Sequence, residues 1–364
     1  MSAGPANAMT TATPAELGYR MPPEWHRHSA TWISWPHNAE TWPNVLSPAE
    51  ESMAAAVGAL ATGETVRINV LGPEHEAHVR RCLGEAAAGA QVLFHHFPTN
   101  DAWCRDHGAI FVLGADGELA ALDCGFNAWG GKYPPWDLDD AIPARMADAL
   151  GVRRFETEMI LEGGSVDVNG AGDVLTTEQC LLNPNRNPHL SRVEIERRLQ
   201  GLLGVRQVLW LGDGILGDDT DGHVDDITRF VSEDTILTVV EPDPADGNHA
   251  PLAENRARLA ALRLADGRPP RIVELPMPEP VEPGGVRLPA SYANFYIGND
   301  VVLMPAFDQP RDAEAARILQ ACFPRRRVVP IRATELVIGL GAFHCLTQQV
   351  PAAGHALAGA AALA

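Results

Sequence analysis

Nowhere in this chain of 364 residues do roughly 18 apolar residues run together, the length a membrane helix requires. Basic charge is scarce too: 28 Lys+Arg face 47 Asp+Glu, a formal charge of −19. Phosphate binding needs a basic face, so this balance argues against a nucleic-acid partner, while an acidic cleft concentrates cationic ligands. The six cysteines (Cys82, Cys104, Cys124, Cys180, Cys322, Cys345) include no pair at the spacing of a zinc knuckle or redox motif. They make no disulfide framework, which points to a reduced, cytoplasmic compartment. The first 14 residues lack a basic cluster followed by an apolar core, so no signal peptide is expected. Residues 1–17 read as a disordered tail and the Ala-rich 352–364 as a second tail or a final helix. No composition break, long linker or internal repeat divides the rest.

What is present is an ordinary folded mix, 46% apolar and 21% charged. Strand-like and helix-like stretches alternate. Ser47, Pro48 and Glu50 predict a helix start with a capping box, ahead of the apolar run 53–60. Strands are expected over 66–71, 92–97 and 109–113. Ser191 with Glu194 predicts a second capping box, a helix to about 203 and a strand over 205–211. Residues 227–231 and 235–240 suggest a strand pair, and the Pro- and Gly-rich 241–289 an excursion from the fold. The class is α/β in a single domain.

Four stretches are dense in chemistry: Asn100 to Gly108, Leu161 to Ser165, Asp218 to Asp226, and Phe343 to Gln349. Each falls at a strand end or in the loop after it, where α/β proteins build sites. Brought together, they supply a thiol (Cys345), an imidazole (His223) and carboxylates (Asp106, Glu162, Asp219, Asp225). A thiol beside an imidazole is a nucleophile with a proton partner. Carboxylates beside that thiol raise its pKa and repel an oxyanion, so they suit no ordinary ester or amide. They suit a cation. A guanidinium is planar, permanently charged and matches carboxylates bidentately.

These stretches resemble the guanidino-group-modifying enzymes, specifically the agmatine deiminase branch with its bacterial peptidyl-arginine-deiminase-like relatives. Further matching stretches are Met21 to Trp25, Trp32 to Pro36, Phe126 to Tyr133 and Thr176 to Asn187, so the resemblance spans roughly 18–351. It implies a five-bladed α/β-propeller (pentein fold) of ββαβ units in pseudo-fivefold array around a channel. It also implies hydrolysis of agmatine to N-carbamoylputrescine and ammonia, a step of putrescine biosynthesis, with no metal and no organic cofactor. By the same resemblance Cys345 is the nucleophile, His223 the general acid/base, Asp106 and Asp225 the guanidinium grip, and Glu162 the group that orients and charges the His. Trp103 and Asp219 fall where the branch meets the distal amine of its substrate. The implied partner is a small cationic guanidino compound, with no membrane, and a homodimer is left open.

Other readings stand beside these. Cys82, Cys124, Cys180 and Cys322 suggest small core residues, and Cys104 packing. His107 and His344 suggest hydrogen-bonding groups next to catalytic positions, and His95 and His96 structural ones. Asp218, Asp221 and Asp226 suggest a solvated acidic loop. Alternative activities are a deiminase of peptidyl or free arginine, an amidinotransferase, a metallohydrolase, and a polyamine-binding protein without catalysis.

Overall fold

The computed structural model describes residues 12–354. Among the described residues sixteen strands lie in five small sheets, which share one plan. In the second blade β4 (Ile110–Leu113) pairs antiparallel with β5 (Leu119–Gly125), and β5 pairs parallel with β6 (Arg153–Ile160). A parallel pair needs a crossover, and the helix Ile142–Leu150 supplies it. The same ββαβ order recurs in β7 (Asp167–Val168), β8 (Asp173–Thr177) and β9 (Gln207–Leu211), with helix Arg192–Leu203. It recurs in β10 (Thr228–Ser232), β11 (Thr235–Val240) and β12 (Arg271–Pro276), with helix His249–Ala261. A fourth instance is β13 (Tyr296–Ile297), β14 (Val301–Ala306) and β15 (Arg327–Arg332), with helix Arg311–Cys322. The first blade holds β1 (His28–Ser34), β2 (Thr65–Asn69) and β3 (Val92–His95), and its antiparallel strand, in the place β4 has in the second blade, is β16 (Thr347–Pro351). The two ends of the described chain thus close one sheet. This is a five-bladed α/β-propeller.

Inner strands read as unbroken apolar runs because both faces are covered: β4, β8 and β14 are buried at every residue. The largest apolar cluster joins Trp35, Trp42 and Met53 to Phe230, Tyr292, Phe295 and Phe343. A second joins β5 to the helix Arg192–Leu203, and a third packs Trp32 against Phe111 and Met146. Among the described residues no helix is long and apolar enough to cross a membrane.

The capping box at Ser191 and Glu194 is formed, both halves bonded. The one expected at Ser47 is not. That helix starts at Leu46 after Val45, without a side-chain cap. Glu50 is drawn inward instead, accepting from Trp35 Nε1 at 2.7 Å. Residues 241–289 are no excursion over most of their length, since they contain the helix and third strand of the fourth blade. In the expected N-terminal tail, residues 1–11 lie outside the described residues, but Ala15–Leu17 forms a 3-10 turn. The expected terminal helix beyond 354 also lies outside them. Cys82 and Cys322 are half-buried and pack against the edge of the largest apolar cluster.

Candidate active site

Each blade hands over to the next through a connecting segment, and these five connections carry the site. Asp106 lies in the turn Cys104–His107 ahead of β4, and Glu162 leads the turn Gly163–Ser165 ahead of β7. His223 and Asp225 flank the start of Val224–Asp226 ahead of β10, and Cys345 lies in Phe343–Leu346 ahead of β16. The fifth connection, ahead of β13, brings Asn294.

Asn294 is the residue that sequence reasoning missed. Its Oδ1 accepts the backbone N–H groups of Ala342, His344 and Cys345 at 3.2, 3.1 and 3.3 Å. Its Nδ2 donates to Cys345 Sγ at 3.0 Å and to Asp226 Oδ1 at 2.9 Å. One amide thus fixes the turn that presents the thiol and the thiol itself. It sits in an apolar stretch without neighbouring chemistry; the only signal was its place, equivalent to the other four connections.

Cys345 Sγ lies 3.8 Å from Asp225 Oδ2. Burial, then Asp225, Asp226 and Asp106, push the thiol well above its ordinary value of 9.0. Asp226 is buried beneath it, bonded to Asn294, and burial with Asp225 and Asp218 raises its own carboxyl strongly. The solvated-loop expectation therefore fails for Asp226. It fails for Asp218 too, whose Oδ2 accepts the N–H groups of Gly222 and His223 at 2.9 and 3.2 Å and so shapes the loop that presents the imidazole.

His223 is fully buried, and neither ring nitrogen has a hydrogen-bond partner among the described residues. Its Nδ1 stands 3.7 Å from Asp106 Oδ1. Burial opposes the imidazolium, but Asp106, with Cys180 and Asp225, outweighs it and holds the pKa well above 6.5. Glu162 lies close by, its Oε1 bonded to Arg186 Nε at 2.6 Å and its Oε2 without a partner among the described residues. Gly164 makes room for this convergence. A Cβ there would come within 2.6 Å of His223 Nδ1, 2.8 Å of Asp106 Oδ1 and 3.0 Å of Asp225 Oδ2.

Asp106 accepts from Gly164 N and Trp129 Nε1, both at 3.0 Å. Burial first, then Asp225 and Glu162, raise its carboxyl against the pull of His223. Trp129 reaches it from a strained loop in which Ala128 and Trp129 have φ of 50° and 54°. Such non-glycine backbone costs about 1–3 kcal/mol a residue and clusters at functional sites. Burial works against the charge on Asp225 as well, but His344, His223 and Arg229 outweigh it and hold that carboxyl low. His344 bridges Asp225 Oδ2 at 2.6 Å and Glu24 Oε2 at 2.7 Å. His107 bonds Ser34 Oγ at 2.9 Å. Both histidines thus sit as hydrogen-bonding groups beside the site.

Above this cluster opens a cavity of about 520 Å³. Cys345, Asp106, Trp103 and Asp219 all line it, whereas His223, Glu162 and Asp225 stand behind its wall. Trp103 is buried, tilted against Trp42 and edge-on to Trp129. Asp219 is at the exposed rim, bonded by the Tyr133 hydroxyl, with Lys132 Nζ 3.4 Å from its carboxylate. Among the described residues the lining holds five carboxylates (Glu40, Asp101, Asp106, Asp139, Asp219) and a single cation, Lys132. Donor atoms of Glu162, Cys180 and His223, and of Asp225, Asp226 and Cys345, are close enough for a metal ion. In the first triad the buried guanidinium of Arg186 already neutralises Glu162, and in the second Asn294 donates to both Sγ and Asp226 Oδ1.

The model of the Porphyromonas-type peptidyl-arginine deiminase family matches residues 20–351. The chain belongs to this family. It is thereby a hydrolase of C–N bonds in linear amidines. It is 39% identical to the agmatine deiminase of Ectopseudomonas mendocina, over 94% of this chain and 98% of that protein. The solved agmatine deiminase of Enterococcus faecalis superposes with a TM-score of 0.89 at 33% identity, covering 95% and 99% of the two chains. The agmatine deiminase of C. jejuni with substrate bound gives 0.84 at 31%, covering 92% and 97%.

Proposed function

We propose that this protein is an agmatine deiminase, converting agmatine to N-carbamoylputrescine and ammonia through a covalent intermediate on Cys345. The observation that carries the reading is the buried thiol among carboxylates at the base of a cavity whose lining has five acids and one cation. Only a cationic substrate offsets that charge. Seated against Asp106, with Asp225 close behind Sγ, a guanidinium is drawn by both carboxylates and adds positive charge beside Sγ, which brings the thiol pKa down where attack is needed. The thiolate then adds to the guanidinium carbon, and His223, protonated because of Asp106, donates a proton to the departing ammonia. Water attacks the amidino-thioether, His223 takes its proton, and collapse returns the thiolate and the ureido product. Glu162 acts on His223 through its charge. General acid/base assistance supplies about 10²–10⁴-fold, so orientation by the two aspartates carries much of the remainder.

At the mouth, Trp103 and Asp219 would meet the alkyl chain and distal amine. Free arginine is the second reading, because Lys132, the chain's single lysine, lines the cavity. Its ammonium is engaged by the Asp219 carbonyl at 2.6 Å and Asp221 Oδ1 at 2.9 Å, which leaves it poorly placed for a substrate carboxylate. Ammonia release and product mass from agmatine, arginine and an arginine-containing peptide test the choice. Agmatine is expected to lead by at least tenfold in kcat/KM; a lead for either arginine substrate would overturn it.

A further inference from the structure

Away from the cavity, the helices Leu46–Leu60 and Pro73–Leu83 of the first blade bring a carboxylate, an imidazole and a thiol to one spot. Glu50 Oε1 stands 2.6 Å from His78 Nε2, while Cys82 Sγ lies 3.5 Å from that nitrogen and 3.9 Å from that oxygen. His78 and Cys82 are four residues apart on one helix, so they share a face. In a tetrahedral zinc site, bonds of about 2.0 Å to nitrogen or oxygen and about 2.3 Å to sulfur set donor atoms about 3.3–3.5 Å apart. The two sulfur separations are within about 0.4 Å of that spacing, and the Glu50–His78 pair needs to open by about 0.7 Å, exchanging a hydrogen bond for coordination. Trp35 Nε1 donates at 2.7 Å to the same oxygen, Glu50 Oε1, and fixes its direction, so an ion would take the lone pair that now faces His78. The His78 side chain is 43% exposed and that of Glu50 8%, which gives an ion a way in and a fourth position facing solvent. His75, a turn earlier, stacks on His78 at 6.2 Å. None of these side chains takes part in the deimination steps.

We propose that Glu50, His78 and Cys82 form a binding site for a thiophilic divalent cation of the zinc class. A carboxylate, an imidazole and a thiolate together suit zinc or cadmium over magnesium or calcium, which prefer oxygen donors. Binding forms the metal–sulfur bond and releases the thiol proton to solvent, with no change of oxidation state.

Cadmium titration, followed by the ultraviolet thiolate-to-cadmium band, tests the site. The Cys345→Ser protein is used so that the catalytic thiol adds no signal. One saturable equivalent per chain is expected, displaced by zinc, and adding Cys82→Ser removes it. Cys82→Ser alone leaves deimination unchanged, which shows the fold intact. His78→Ala, at a part-exposed position, keeps the test sharp if Cys82→Ser folds poorly, and is expected to weaken cadmium at least tenfold. The absence of a saturable band, its survival in the Cys82→Ser protein, or undiminished affinity in His78→Ala would overturn the assignment.

Discussion

The smallest residue in the cluster is among the most constrained. Gly164 has no side chain because His223, Asp106 and Asp225 occupy the space a Cβ would take. Gly164→Ala forces those three groups apart by several tenths of an ångström. Misplacement on the scale of an ångström costs about 10²-fold, so kcat is expected to fall by that order, with Tm shifting little by comparison. Equal kcat in the variant would show that the three groups do not act from their observed positions. Cys345, His223, Asp106, Glu162 and Asp225 were all legible in the sequence, because each sits in a local stretch crowded with polar chemistry. Asn294 was not, since its partners are more than 45 residues away and its own neighbours are apolar. The buried Asp226 was misread as solvated for a related reason: a run of acids looks the same in sequence whether it faces water or a thiol.

Among the elements, the turn Cys104–His107 carries both Asp106 and a buried histidine. Burial disfavours the His107 imidazolium, but Asp139, 3.7 Å away, with Cys104, raises its pKa from 6.5 to about 10. A raised folded-state pKa means that this charge contributes stability fully below the unfolded value and loses it as pH climbs through the folded one. Tm is therefore expected to decline between pH 6.5 and about 10, and Asp139→Asn to flatten that slope. A slope identical in the variant would remove His107 from the account. Helix capping shows where local reasoning succeeds and fails. Ser191 and Glu194 are exposed, so nothing competes with their reciprocal bonds. Glu50 had the same pattern but faces the core, where Trp35 and His78 claim its carboxylate.

On the scale of the whole molecule, the propeller has to be held at its axis, and Glu24 does so. Its carboxylate reaches Arg105 at 3.2 Å, Arg229 at 3.0 Å, His344 at 2.7 Å and the Ile297 N–H at 2.8 Å. These partners come from separate blades or the connections between them. His344 holds Asp225 in turn, so the strap 21–25 ties closure of the fold to the site. Removing one partner of a buried ionic network costs about 3–5 kcal/mol. Glu24→Gln is expected to lower unfolding free energy by that order in denaturant titration and to depress kcat as well; a loss under about 1 kcal/mol would contradict the axial role. The class and the number of blades were legible from the resemblance, but this tie was not, because four groups from distant segments meet only once the ring has closed.

The central claim is a covalent bond between Cys345 and the substrate's guanidinium carbon. Mixing the enzyme with agmatine, quenching in acid within one turnover and mapping the protein by mass tests it most directly. The account predicts that the peptide containing Cys345 gains the mass of agmatine less ammonia, and that Cys345→Ser shows neither the adduct nor turnover. Turnover at the wild-type rate without that adduct, or in Cys345→Ser, would contradict it.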